Sequence, residues 1–264
     1  MVSWVFMLPL FKTHYSVGKS LLTLKPAKDP TTEKIGATSL VDICAENNLS
    51  TVTLVEDSLI GFLEAKKQFD AINVNLVFGL RLSLCTDMSH APAKGDPLTD
   101  HKIIVFAKNG EGCLLLNKLY SFAQTKGFGR IDSEGLKSFY NESLLLIAIP
   151  FYDSFLFNNA FVYNSCCLLD HSFFSPLLFL ENNLLPFDLT QREMVTSYSS
   201  KYSLETLETK SVYYENRSDF EAYQTYKCIC SRTPGRSKTL DMPNLDHCGS
   251  PEFCFESYLD HESS

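Results

Sequence analysis

Two periodicities alternate along the first half of the chain. The segment "STVTLVE" (50–56) is short and β-branched and predicts a strand; "DSLIGFLEAKKQFD" (57–70) follows it with Leu59, Phe62, Leu63 and Phe69 at helical spacing, and Asp57 or Ser58 can cap its start. The apolar runs "VNLVFGLRLSLC" (74–85), "HKIIVFAKN" (101–109) and "ESLLLIAIP" (142–150) predict further strands. "SLVDICAENN" (39–48) predicts a helix before the second strand, and a helix after the 101–109 strand directs Leu115, Leu116, Leu119 and Phe122 inward. Strands that alternate with helices imply parallel pairing through helical crossovers, and near-continuous apolar strands imply a covered or closed sheet. Residues 86–100 form a polar, Pro-containing loop, the pattern weakens beyond about residue 190, and the mixed composition from Ser231 to Ser264 reads as irregular structure ending in a mobile tail.

With 264 residues, 45% of them hydrophobic, the chain can bury a full core. Its 31 acidic residues exceed 23 basic ones, for a formal charge of -8. Stand-alone binders of nucleic acid usually carry a basic face, so contact with DNA is expected to be indirect. The apolar opening "MVSWVFMLPL" (1–10) has no basic n-region and no small-residue cleavage site, and reads as a buried first strand. No apolar run reaches the roughly 18 residues of a membrane span; in "LLLIAIPFYDSFLF" (144–157), Pro150 and Asp153 interrupt the longest. Nine cysteines, mostly within apolar runs such as those at Cys44, Cys85, Cys113 and Cys166-Cys167, fit reduced thiols in the cytoplasm. Without a secretory signal, the sequons at Asn48, Asn141 and Asn216 are chance matches.

Several local motifs fall short of a site. "SVGKSLLTL" carries Gly18-Lys19-Ser20, but the glycine that a phosphate-binding loop needs five positions earlier is Thr13. Cys228 and Cys230 with His247, Cys248 and Cys254 have irregular spacing for a zinc module. Arg232, Arg236 and Lys238 read as a solvated basic loop.

Four segments, in order, carry a resemblance: "KTHYS" (12–16), "TLVEDSLIGFLEAKKQF" (53–69), "NLVFGLRLSL" (75–84) and the ungapped stretch from His101 to Phe139. Together they resemble the PHP (polymerase and histidinol phosphatase) domain of the alpha subunit of bacterial and phage DNA polymerase III, a family C DNA polymerase. The resemblance covers roughly residues 9–150 and is faint from 185 to 260. It implies a distorted (β/α)7, TIM-like barrel over residues 1–230, with 231–264 as an irregular C-terminal extension.

PHP domains gather His, Asp and Glu at the carboxyl ends of barrel strands to hold zinc or manganese, which activates water and polarises a phosphoryl oxygen. In this sequence Lys12 stands at the first His position and His14 at the second. Glu56 and Asp57 stand for Asp and His, Arg81 stands for a Glu, and His101 is kept. Tyr198 and Ser199 fall where a late Asp-x-His would be. Cations at Lys12 and Arg81 fill metal space with fixed charge, and each is expected to pair with Glu56 or Asp57. The expectation is therefore a vestigial cleft made by Lys12, His14, Glu56, Asp57, Arg81 and His101, with no catalytic residue and no cofactor. The chain would serve as a structural part of the replicative polymerase, assembled with a separately encoded catalytic portion. The alternatives are a phosphoesterase or 3'-5' exonuclease that holds zinc or manganese on His14, Glu56, Asp57 and His101, and a binding module for an unrelated partner.

Overall fold

The computed structural model describes residues 7–26, 28–29, 37–91, 99–162, 169–230 and 249–262. In chain order its elements are β1 (Leu8–Phe11), α1 (Leu40–Glu46), β2 (Thr51–Glu56), α2 (Phe62–Ala71), β3 (Asn75–Leu84), β4 (His101–Ala107), α3 (Gly110–Lys126), β5 (Arg130–Ile131), α4 (Ser133–Phe139), β6 (Leu145–Ile149), β7 (Leu177–Leu180), α5 (Asp188–Tyr202), β8 (Thr206–Val212), α6 (Phe220–Cys230) and α7 (Phe255–Glu262). The architecture is mixed α/β. The strand order β2-β1-β8-β7-β6-β4-β3 closes on itself because β2 also pairs with β3, and β5 is appended to β3. This is the seven-strand order of a distorted barrel.

Two compact units make up the chain: residues 1–78, 181–188 and 208–264, and residues 79–180 and 189–207. Strands β3 and β8 each run through the boundary.

In the first unit β1 is central and parallel to both neighbours, with Leu10 opposite Thr53 and Ser211, and Phe11 opposite Leu54 and Val212. Successive side chains of a strand point to opposite faces. Phe11 is fully buried and its ring lies 5.8 Å from that of Phe255 in α7. Leu10 and the residue two places on, Lys12, take the other face. Helix α1 starts at Ser39, whose side chain accepts from the Asp42 amide. Helix α2 starts at Gly61, not at Asp57 or Ser58, and Leu63 points outward at 78% exposure while Ala65 and Phe69 are buried. Leu63 satisfies helical spacing, but the buried stripe of α2 is narrower than its apolar pattern.

The second unit corrects the expectation of uniformly parallel strands. β4 is antiparallel to both β3 and β6, whereas β6 and β7 are parallel. Antiparallel neighbours need no helical crossover, and β3 passes to β4 by the polar segment 85–100. Asn109 caps α3 by accepting from the Gly112 amide at 2.9 Å. Its inward residues are Leu116, Leu119 and Ala123, with Leu115 and Phe122 half-buried.

The expectation of irregular structure beyond Ser231 also needs correction at its end. Phe253, Cys254, Phe255 and Tyr258 are buried, Tyr214 bridges Cys254, and α7 occupies Phe255–Glu262. Arg217 fixes this segment through ion pairs with Glu252, Glu256 and Asp260. The basic residues Arg232, Arg236 and Lys238, and His247 and Cys248 of the irregular Cys/His set, lie outside the described residues. No described helix is long and apolar enough to cross a membrane.

Candidate functional site

The polypeptide leaves β1 at Phe11, and Lys12 continues its register, its amide donating to the Val212 carbonyl at 3.3 Å. The Lys12 side chain is buried. Its ammonium donates to the Val55 carbonyl at 3.0 Å and lies 3.6 Å from the Asp57 carboxylate. Lys19 reaches the second oxygen of Asp57 at 3.1 Å. Two ammonium groups thus neutralise one carboxylate, and the Gly18-Lys19-Ser20 turn contributes an ion pair. Gly18 is required there, because its φ is +73° and a Cβ would lie 2.8 Å from that of Cys230.

Glu56 sits beside Asp57 but does different work. It is 1% exposed and accepts from the Thr13 amide at 2.8 Å, the Thr13 hydroxyl at 2.6 Å and the Ser16 hydroxyl. Burial pushes its carboxyl up from the usual range, against the pull of Lys12 and these three donors. The pleat explains the division. Lys12, Val55 and Asp57 continue the face of Leu10 and Thr53; Thr13 and Glu56 continue the face of Phe11 and Leu54.

His14, which the sequence resemblance sets at a ligand position, is exposed. Its amide donates to Leu22 and its ring lies 4.3 Å from that of Tyr15, whose hydroxyl bonds Glu64.

Arg81 and His101 belong to the second unit. The sequence pairs both cations with Glu56 or Asp57. Lys12 lies beside Asp57, and Arg81 forms an ion pair with Asp153, in the loop after β6. The sequence also places Arg81 and His101 in one cleft, whereas Arg81 lies opposite Ile104 and His101 lies opposite Leu84. Since Arg81 and Leu84 have opposite parity on β3, the two side chains leave opposite faces of the β3–β4 pair. His101 is turned into apolar surroundings at 1% exposure, its ring 5.4 Å from that of Phe155, and burial holds its imidazole down at about 4. Among the described residues its Nε2 has no hydrogen-bond partner. Tyr198 bonds His171 at 3.0 Å and packs on Phe155.

The structure therefore joins Lys12, Glu56 and Asp57 at adjacent strand ends, keeps His14 at the surface, and pairs Arg81 with Asp153. Among the described residues no three His, Cys, Asp or Glu side chains are grouped so as to hold a metal ion.

Four participants escape sequence reasoning. Asp153 shows there only as an interruption of an apolar run. Thr13 and Ser16 lie beside His14 in sequence and look like strand-end polar residues. Glu181, immediately after β7, is buried and accepts from Asn183, from the Ser211 amide at 3.0 Å and from its hydroxyl at 2.8 Å. Ser211 faces with Leu10, so Glu181 adds a carboxylate to the face that Lys12 occupies. A lone Glu in "FLENN" carries no spacing signal.

No family model matches the sequence, and no curated protein matches it. Among solved structures the chain is similar to one described as a "putative metal-dependent phosphoesterase" of Bifidobacterium adolescentis. The two share 11% identity over 77% of this chain and 87% of that one, with a TM-score of 0.41. At that identity and score the likeness carries no residue role to this chain.

Proposed function

We propose that this protein is a non-catalytic, PHP-like structural component of a family C replicative DNA polymerase, working with a separately encoded catalytic portion. The reading joins the sequence resemblance, most specific from His101 to Phe139, to one observation: the ammonium of Lys12, buried at a position where the family carries a metal-binding histidine, bonded to Val55 and paired with Asp57. A fixed cation supplies the positive charge that would otherwise come from a metal, and it does so without an exchangeable water. It neutralises the strand-end carboxylate and generates no hydroxide. The remaining use of the fold is mechanical, as a rigid body for the catalytic portion to pack on.

The test has two arms. The purified chain is assayed with manganese or zinc against a phosphate monoester and single-stranded DNA, and mixed with the palm and fingers of the polymerase encoded by the same genome. Stable co-elution without turnover supports the proposal. Metal-dependent hydrolysis that His14→Ala abolishes would replace it with the phosphoesterase or exonuclease reading. Absence of both would favour a module for an unrelated partner.

A further inference from the structure

The segment that leaves β6 crosses from one face of the β3–β4 pair to the other, and it is pinned on both sides. On the first face the Asp153 carboxylate takes Arg81, whose side chain is only 9% exposed. Where the segment passes the start of β4, the Asp153 carbonyl accepts from the Lys102 amide at 2.8 Å. On the second face Phe155, 3% exposed, lies against the imidazole of His101. The Ser154 hydroxyl caps the helical turn Phe155–Phe157, and the Asn158 side chain bonds back to the Asp100 carbonyl at 3.3 Å.

Asp153 itself has φ +59°, a left-handed conformation that costs a non-glycine residue energy unless the surroundings enforce it. Arg81 and the Lys102 amide are among the contacts that enforce it. Beneath the segment lies a histidine that is buried with one ring nitrogen unsatisfied, an arrangement that costs energy and persists only while the cover is in place. The strained cover and the unsatisfied group beneath it both favour opening, and the ion pair opposes it together with the burial of Phe151, Phe155 and Phe157.

We infer that residues 151–158 form a strap over His101, latched by the Arg81–Asp153 ion pair, which opens as a local unit when that pair is broken. Opening lifts Phe155 away and returns a reactive imidazole to solvent while the sheet stays folded. The inference concerns one unit of the chain and stands whether or not the polymerase reading holds.

Amide hydrogen exchange on the full chain, with diethylpyrocarbonate labelling of His101, tests it. Asp153→Asn removes the charge and keeps the shape, and asparagine tolerates a positive φ as well as aspartate does. The variant is expected to exchange the Lys102 amide and those of 154–158 about tenfold faster, as the loss of one charge-assisted hydrogen bond requires. Exchange at Val105 and Ile147 stays unchanged, and His101 becomes labelled only in the variant. The double exchange Arg81→Asp with Asp153→Arg restores protection and shields His101 again. Unchanged exchange with an inert His101 would overturn the latch. So would loss of protection across β4 and β6 together, which would make the ion pair a general stabiliser of the sheet.

Discussion

The ammonium of Lys12 lies 3.6 Å from the carboxylate of Asp57 and donates at 3.0 Å to the carbonyl of Val55, one strand away from its own backbone. This single side chain ties the end of β1 to the end of β2. Lys12→Met keeps the length of the side chain but removes the donor to the buried Val55 carbonyl and the charge beside Asp57. The expected loss is about 1–3 kcal/mol, read as a lower urea midpoint at unchanged slope. Lys19→Met, at the same carboxylate but on a side chain 34% exposed, is expected to cost under about 1 kcal/mol. Equal losses in the two variants would mean that Asp57, and not the carbonyl, sets the cost.

Acid is expected to weaken the fold in two separate windows. His101 is held down at about 4 by burial, against an ordinary value of 6.5. The unfolded chain therefore takes up this proton as pH falls below about 6.5 while the folded chain refuses it. Stability drops by about 3 kcal/mol until pH reaches about 4, then levels. Glu252 behaves differently, because the hydrogen bond from Arg217 holds its carboxyl down at about 2, against an ordinary 4.5. Its contribution is complete above pH 4.5 and disappears as pH falls toward 2. With Arg217 a third exposed, that contribution is about 1 kcal/mol. Stability measured against pH, relative to wild type, should lose the upper window in His101→Gln and the lower one in Arg217→Gln.

Two glycines of the same helix should respond oppositely to alanine. A Cβ on Gly112 would lie 2.3 Å from the Leu144 carbonyl oxygen, a backbone atom that cannot swing aside. The helix α3 must then lift from the start of β6, at about 1–3 kcal/mol, more than the roughly 1 kcal/mol that alanine gains in helix propensity. A Cβ on Gly110 meets nothing within 4 Å. Gly110→Ala should leave the melting temperature unchanged or raise it, and Gly112→Ala should lower it.

Metal should not stabilise the folded chain. Asp57 is already matched by Lys12 and Lys19, and Glu56 by Thr13 and Ser16. A site occupied at a hundred times its dissociation constant would add about 2.7 kcal/mol. Thermal melts in excess manganese, in excess zinc and in EDTA are expected to superimpose, and a metal-dependent rise in melting temperature would contradict the reading of Lys12 as a metal substitute.

Periodicity was enough to place β2, β3, β4, β6 and the helices α1 to α3 within a few residues of where they lie. Strand and helix formation depend on neighbours along the chain, and the burial of alternate or every-fourth residue leaves its mark there. It was not enough to orient β4. A strand's pattern of side chains reads the same in either direction, so only the connection after β3 decides between parallel and antiparallel. The helix at Phe255–Glu262 was hidden for a related reason. It is short, and what holds it is Arg217 and the aromatic face around Tyr214, both distant in sequence.

The sequence by itself determined which charged and histidine side chains the chain carries: the cations at Lys12 and Arg81, the paired carboxylates at Glu56 and Asp57, and the histidines at His14 and His101. The tertiary structure decided what each of them does. Glu56 and Asp57 are adjacent in sequence and so look like one site, but a pleated strand turns neighbours to opposite faces, giving one to hydroxyl donors and the other to ammonium groups. Arg81 found its carboxylate in Asp153, and His101 went to the apolar face under Phe155, because register and pleat, set by the pairing of β3 with β4, fix which side chains can meet.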